Sequence, residues 1–412
     1  MLFSDISAVL AYIEQKTNFQ LGLLRVQEFL NKAHLDYHKI KFIHIGGTNG
    51  KGSTTFYLAN ILINSGYKTG MFSSPSLEAH NDRIRINNNF ISDESIIAFV
   101  NEYYDLIEET QVTMFEIDVV MALDYFIKND VEIAVMEVGM GGRYDGTNII
   151  NPLISVITNI GLDHQQYLGA SKAEIATTKA GIIKENGLLI TSENDQQCLE
   201  IIQNEANLKH AQVIEVKSAH VHSLKPIIFD YQEYYHLELA SLADYQIKNV
   251  SMVLEIIKVL KVKFGFNISE EIIRCTLLNI KWPGRFEVMS YHPFIVIDGA
   301  HNVEGISELS KILDKYQEYH KTIVFAALKD KQTDDMVKLL IDTKSEVIIS
   351  EFAFYRTKKA IDINKNFNLE VQENYEDYLI NKIKLMNEQD MLIITGSLYF
   401  ISEIRKLLLN II

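Results

Sequence analysis

The chain has 412 residues, 47% of them apolar and 23% charged, and a formal net charge of −15. That length suits two domains better than one core, and the apolar and charged shares are those of a globular protein. The acidic balance argues against a general binder of nucleic acid or anionic membrane, but it leaves small anionic substrates open, since these need only a local cluster of cations.

Two cysteines, Cys198 and Cys275, imply no disulfide framework. The opening stretch, Met1 to Lys16, has acidic residues and lacks a basic start before a long apolar core, so no signal peptide is expected. No uninterrupted apolar run reaches about 18 residues, so no membrane span is expected and the cytoplasm is the expected compartment.

In chain order, a β-like run, Lys41–Ile45, leads into His44-Ile45-Gly46-Gly47-Thr48-Asn49-Gly50-Lys51-Gly52-Ser53-Thr54. A helical pattern, Thr55 to Ser65, leaves it and stops at Gly66. Strand, glycine-rich loop, lysine, hydroxyl and helix form the layout of a phosphate-binding loop. Glycines let backbone N–H groups close around phosphate oxygens, and the helix N-terminus adds partial positive charge. Lys51 would reach the terminal phosphates, and Ser53 or Thr54 would ligate magnesium. The loop departs from the common G-x-x-x-x-G-K-[ST] form. Gly46 and Gly47 sit too close to Gly50-Lys51, and Gly52 separates Lys51 from Ser53. The blander alternative is a glycine-rich turn with an exposed lysine.

Further β-like runs follow at Glu132–Val138, Ile154–Thr158, Gly187–Thr191, Phe294–Asp298, Thr322–Ala326, Glu346–Ile349 and Met391–Thr395. Near-continuous apolar strands alternating with helical patterns predict an α/β protein with parallel sheets covered on both faces. The best boundary is Lys281-Trp282-Pro283-Gly284-Arg285, after a helix-like stretch from Ser269 to Leu278. It divides the chain into domains 1–280 and 281–412.

Polar groups gather where these strands end. Glu137 closes one strand and runs into Gly139, Gly141 and Gly142, then Arg143-Tyr144-Asp145. Ligands of open α/β sheets bind at the carboxyl ends of strands, so Glu137 is either a magnesium ligand beside ATP or a solvated turn glutamate. Gly161-Leu162-Asp163-His164 follows another strand, and His164 is either a metal ligand or a structural histidine. Lys179 lies in a helical pattern, where an isolated lysine is usually solvated. Asp298-Gly299-Ala300-His301-Asn302 and Thr395-Gly396-Ser397-Leu398-Tyr399 close two strands of the second domain.

In order, G-T-N-G-K-G-S, S-S-P, E-V-G-x-G-G-R-x-D-x-T-N, G-L-D-H, K-A-G-I, P-G-R-x-E, D-G-A-H-N, A-L-K-D-K and T-G-S-L-Y resemble the folylpolyglutamate synthase/dihydrofolate synthase family. These are ATP-dependent amide ligases related to the muramyl ligases. The resemblance runs from about residue 20 to 405. It implies an N-terminal P-loop ATPase domain with a mostly parallel sheet, a smaller C-terminal, Rossmann-like α/β domain that binds glutamate, and an active site in the cleft between them.

The resemblance also assigns residues. Thr48, Asn49, Gly50, Lys51, Gly52 and Ser53 would cradle the ATP phosphates. Ser53, Ser74, Glu137 and His164 match magnesium positions, two ions in all. Lys179 matches a lysine that carbon dioxide often carbamylates, and K+ is a further candidate cofactor. Asn249 matches an adenine contact and Arg285 a phosphate contact. Asp298 and His301 match residues that reach nucleotide and glutamate. Lys51, Glu137, His164, Lys179 and His301 are thus the catalytic set, and Ser76, Arg83, Asp145 and Ser397 the substrate-binding set.

Three positions depart from the family pattern: Ser76 stands where histidine is frequent, Val303 where proline is, and Thr178 where glutamate is. The implied reaction joins glutamate to a folate, and to dihydropteroate, through an acyl phosphate. The implied partners are these small molecules, with no nucleic acid or membrane, and a monomer suffices. Two rivals stand beside it. A muramyl ligase normally carries a UDP-substrate domain before the loop, where only about 45 residues are found. A non-catalytic P-loop protein would need neither Lys179 nor the motifs around Asp298 and Ser397.

Overall fold

The computed structural model describes residues 3–17 and 22–411. The chain separates into two compact units. The first holds residues 1–223, 228–238 and 246–280; the second holds 224–227, 239–245 and 281–412.

The first unit is built on β1 (Lys41–Gly46), β2 (Thr69–Phe72), β3 (Ile84–Ile86), β4 (Asn89–Phe90), β5 (Ile133–Glu137), β6 (Ile154–Ile157), β7 (Leu188–Thr191) and β8 (Gln212–Glu215), in the order β4-β3-β2-β5-β1-β6-β7-β8. Six strands run parallel, from β2 through β8. The sheet is mostly parallel, as expected, with one antiparallel edge where β3 pairs with β2 and β4. That hairpin is short and lacks a continuous apolar run, so periodicity could not find it.

Alternation along β1 and β5 sends Phe42, Ala134 and Met136 to one face. There they pack with Val9, Phe29, Phe99 and Ile117 from the helices Ile6–Glu14, Leu24–Lys32, Asp93–Thr110 and Met114–Lys128. The last of these helices starts with a capping box, Thr113 and Glu116 each bonding the other's backbone N–H, which fixes its first turn. Farther along the sheet, Val138, Ile157 and Leu189 pack with Ile175, Ala176 and Ile202 from the helices Lys172–Ala180 and Gln196–Leu208. Each fully buried valine, leucine, isoleucine, phenylalanine or methionine among them contributes roughly 1.5–3 kcal/mol of transfer free energy.

The register decides where the chemistry falls. Ile45 lies opposite Glu137, and Gly46 opposite Ile157. Phe72 pairs with Met136, one residue before Glu137. The carboxyl ends of β2, β5, β1 and β6 therefore line up, and the segments beginning at Ser73, Val138, Gly47 and Thr158 leave the sheet along one edge.

A separate three-stranded sheet has the order β11-β10-β9, with β9 (His220–Leu224), β10 (Ile227–Tyr231) and β11 (Tyr234–Leu239). It was not anticipated, because its strands mix histidine, tyrosine and acidic residues with apolar ones.

The second unit carries β12 (Glu287–Tyr291), β13 (Phe294–Asp298), β14 (His320–Phe325), β15 (Glu346–Ser350), β16 (Glu370–Gln372) and β17 (Asp390–Thr395), ordered β12-β13-β17-β14-β15-β16. Only β12 runs antiparallel. Val296, Ile323, Phe325, Ile349 and Ile393 form its core with Ile306, Leu309 and Leu313. Asp298 pairs with Thr395, and Thr395 with Phe325, so the Asp298 and Thr395 loops leave adjacent strand ends.

Candidate active site

The helix after the glycine-rich loop runs Lys51–Asn64, four residues earlier at its start than its apolar pattern begins. Gly50 is its N-cap, at φ 83°. This left-handed turn lets the helix begin at once, although Gly52, Ser53 and Thr54 are weak helix formers. A helix start leaves its first N–H groups without intrahelical acceptors, and Gly50 brings no side chain to cover them. The result is an anion-binding end facing the strand edge.

The loop is held from β6. Thr158 Oγ1 donates to the carbonyls of Gly46 (3.3 Å) and Asn49 (2.6 Å), while Asn159 accepts from the N–H of Asn49 at 2.8 Å. Gly161 N–H donates to Thr48 Oγ1 at 2.8 Å. Approach is so close at Gly47 that an added Cβ would lie 1.8 Å from Thr158 Oγ1. Thr48 therefore anchors the loop with its side chain and with its backbone N–H, which donates to the Asn159 carbonyl at 3.0 Å. Thr158 and Asn159 lie within the strand-end segment read from sequence, but their anchoring role depends on the fold.

Both lysines point at this loop. Lys51 Nζ donates to the carbonyl of Thr48 at 3.0 Å, and Lys179 Nζ to that of Gly47 at 2.7 Å. Lys179 is buried, so the solvated alternative does not hold. Burial, reinforced by the charge of Lys51, lowers its amine from 10.5 to about 7.

Glu137 is 3% exposed, which removes the solvated-turn reading. Its carboxylate accepts the N–H of Ser74 at 3.2 Å, bringing two expected metal positions together. Ser53 Oγ, also buried, accepts from Gln246 at 3.4 Å. His164 takes a left-handed conformation, φ 51°, as N-cap of the short helix Gln165–Leu168, with Asp163 3.9 Å away. Two hydroxyls, a carboxylate and an imidazole are mainly hard donors, and they fit a magnesium or manganese ion.

Asn249, in the helix Tyr245–Phe264, is buried against the loop. Its Oδ1 would be 2.4 Å from a Cβ at Gly50, and its Nδ2 donates to Gln246. It packs on the glycine-rich loop itself. Gln246 and Glu193 were missed. Glu193 is buried and takes the N–H groups of Ile160, Asn194 and Asp195, so it ties the strand-end loop before His164. Nothing in its sequence context marked it.

Two expected substrate contacts are engaged by the protein itself. Asp145 is buried and accepts from Met140 N–H, Thr147 N–H and Thr147 Oγ1, holding the glycine-rich turn together. Burial pushes its carboxyl above the usual range, against those hydrogen bonds. Arg83 is buried with Nη1 3.3 Å from Asp118, whose other oxygen is 2.7 Å from His80 Nε2. Ser76 is half-buried in the turn after Pro75.

In the second unit, Asp298 accepts from Tyr245 Oη at 2.9 Å and from the N–H groups of Phe286 (2.7 Å) and Ala300 (2.8 Å). Burial raises its carboxyl and neighbouring Arg285 opposes that rise. Arg285 donates to the carbonyl of Gly299 at 3.3 Å, and His301 Nδ1 lies 2.8 Å from the same oxygen. Ser397 is 1% exposed and its Oγ has no hydrogen-bond partner. A buried orphan hydroxyl is costly unless a ligand completes it.

Residues 45–257 match the family model of the Mur ligase middle domain, and residues 284–398 that of the Mur ligase glutamate ligase domain. The dihydrofolate synthase/folylpolyglutamate synthase of Bacillus subtilis (strain 168) is 34% identical, over 93% of this chain and 94% of that protein. The crystal structure of a folylpolyglutamate synthase from Thermotoga maritima superposes with a TM-score of 0.83 at 30% identity, over 98% of this chain and 97% of its own. A bifunctional folylpolyglutamate synthase/dihydrofolate synthase from Yersinia pestis, solved with AMPPNP and a Mn ion, gives 0.86 at 26% identity over 98% of both chains. Both halves match in order and relatives align along nearly their whole length, so this chain belongs to the folylpolyglutamate synthase/dihydrofolate synthase family.

Proposed function

We propose that this protein is an ATP-dependent ligase that adds L-glutamate to folates, and to dihydropteroate as well. The observation that carries the reading is the pair of lysines on consecutive loop carbonyls beside a buried glutamate at aligned strand ends.

The carboxylate of the pterin substrate attacks the γ-phosphorus of ATP; ADP leaves and an acyl phosphate forms. The glutamate amine then attacks the acyl carbon. Phosphate leaves, the nitrogen loses a proton, and the amide is made. Phosphoryl transfer asks mainly for positioning and charge neutralisation. The start of the helix Lys51–Asn64 holds the β- and γ-phosphates, and Lys51 swings from the Thr48 carbonyl to the terminal oxygens. Arg285 supplies a second cation. Ser53, Ser74, Glu137 and His164 are the residues that would hold magnesium, which supplies charge neutralisation when bound.

Lys179, with its amine near 7, is half neutral at physiological pH and so able to add to carbon dioxide. The carbamate would turn a cation into a carboxylate-like metal ligand. His301, Asp298 and the orphan hydroxyl of Ser397 are proposed to receive glutamate and nucleotide. Asp145 and Arg83 act as positioning groups in this scheme. The cytoplasm fits the ligands, and no described helix is long and apolar enough to cross a membrane.

The test is incubation with ATP, magnesium and labelled glutamate, with dihydropteroate or tetrahydrofolate supplied separately. Incorporation with both acceptors is the expected result. Glu137→Ala should abolish it while the far-ultraviolet spectrum is kept. Bound ATP without incorporation into either acceptor would refute the ligase reading.

A further inference from the structure

The sheet β9–β11 contributes no residue to the site described above. Along β10, Ile227, Phe229 and Tyr231 are buried, and Asp230 belongs to the opposite, half-open face. The order β11-β10-β9 places one neighbour on each side of it. Each neighbour contributes a histidine. His222 Nε2 lies 2.8 Å from Asp230 Oδ2, and His236 Nδ1 lies 3.8 Å from Asp230 Oδ1. One ligand atom from each of the three residues lies within 4.8 Å of the other two. The imidazoles of His222 and His236 stack 4.8 Å apart at 8°, and His220 stands edge-on to His222, also at 4.8 Å.

The backbone reinforces this convergence. His236 has φ 52° inside a strand, a conformation that glycine takes without cost and histidine only with strain. Such a residue bends a strand and re-aims its side chain. The carboxylate of Asp230 holds the bend by accepting the N–H of His236 at 2.6 Å. One carboxylate thus fixes the turned backbone and faces both rings.

We propose that His222, Asp230 and His236 form a binding site for a divalent transition cation of the zinc type. Two imidazole nitrogens and one carboxylate suit zinc, nickel or copper. They do not suit magnesium, which demands oxygen donors. Tetrahedral zinc holds such atoms at about 2.0–2.1 Å, hence about 3.4 Å from one another. Binding would widen the His222–Asp230 contact from 2.8 Å and turn the stacked rings so that both lone pairs meet one ion; none of the three residues is fully buried. The ion would tie three strands of a small open sheet to one another.

The experiment uses the full-length, metal-stripped protein in millimolar magnesium, so that the magnesium positions are occupied. Zn2+ is titrated in competition with a chromophoric chelator, and Co2+ alone is followed by its visible d–d absorption. One equivalent of Zn2+ should bind, and Co2+ should give the intense bands of a low-coordinate site. His222→Ala and His236→Asn should each weaken Zn2+ binding roughly tenfold or more, asparagine being chosen because it tolerates the left-handed conformation. His320→Ala, at an exposed histidine of the second unit, should change nothing. Absence of Zn2+ uptake by the parent protein, or uptake unchanged in both site variants, would overturn the proposal. If one variant misfolds by circular dichroism, the other decides.

Discussion

Lys179→Met should make the protein more stable at neutral pH while removing a group that the proposed reaction uses. The amine titrates near 10.5 in the unfolded chain and at about 7 in the native one. Between those values the unfolded state carries about one more proton than the native state, so native stability rises with pH by about 1.4 kcal/mol per unit. The penalty stands in full below pH 7 and has gone above about 10.5. Integrated over that window, it costs the parent protein about 4 kcal/mol at pH 7.

Methionine keeps the length of the buried stem and carries no charge, but it forfeits the bond to the Gly47 carbonyl. That loss is about 1–2 kcal/mol, including the orphaned oxygen. The variant should therefore gain about 2–3 kcal/mol at pH 7, and the gain should vanish near pH 9. Urea unfolding at pH 7, 8 and 9, in nucleotide-free buffer stripped of carbon dioxide, measures this. A variant no more stable at pH 7, or a gap that does not shrink as pH rises, would refute the buried-amine reasoning.

Two further perturbations separate strain from chemistry. Gly50→Ala forces a side chain into a φ of 83° with its Cβ 2.4 Å from Asn249 Oδ1; ADP affinity measured by calorimetry should drop tenfold or more. Gly66→Ala meets the same kind of φ, 90°, with nothing within 4 Å, so it should cost about 1 kcal/mol of stability and leave ADP affinity alone. His44 is buried in β1, and burial, aided by Lys184, lowers its imidazole to about 3. Its unfolded value is near 6.5, so the unfolded state binds the extra proton between these pH values. The stabilising contribution is complete above pH 6.5 and is lost on acidification, by up to about 1.4 kcal/mol per unit. A His44→Gln variant should lose stability less steeply from pH 6.5 to 5 in urea titrations; parallel slopes would contradict this.

The glycine-rich loop, the strand ends and their order along the chain were readable without coordinates, because each is local. An apolar run of five residues, a glycine pair and a lysine within about six positions carry their own geometry. Long parallel strands were legible for the same reason: burial on both faces leaves a continuous apolar run, as in Ile133–Glu137 and Phe294–Asp298. The edge hairpin β3–β4 and the sheet β9–β11 left no such run and went unseen.

What tertiary structure alone decided is which polar groups are buried and which neighbours hold them. Glu137 and Lys179 could each have been solvated; strand register and helix packing bury them instead, and burial is what brings the lysine near neutrality. Asp145, Arg83 and the side chain of Thr48 sit in motifs that suggest ligand contacts, but their atoms are taken up by neighbouring loops or a buried carboxylate. Glu193 and the His222–Asp230–His236 cluster had no local mark, since their partners are brought to them by other segments of the chain. A side chain's partner is a property of long-range pairing. Sequence spacing determines that pairing only within one element, and beyond it the fold decides.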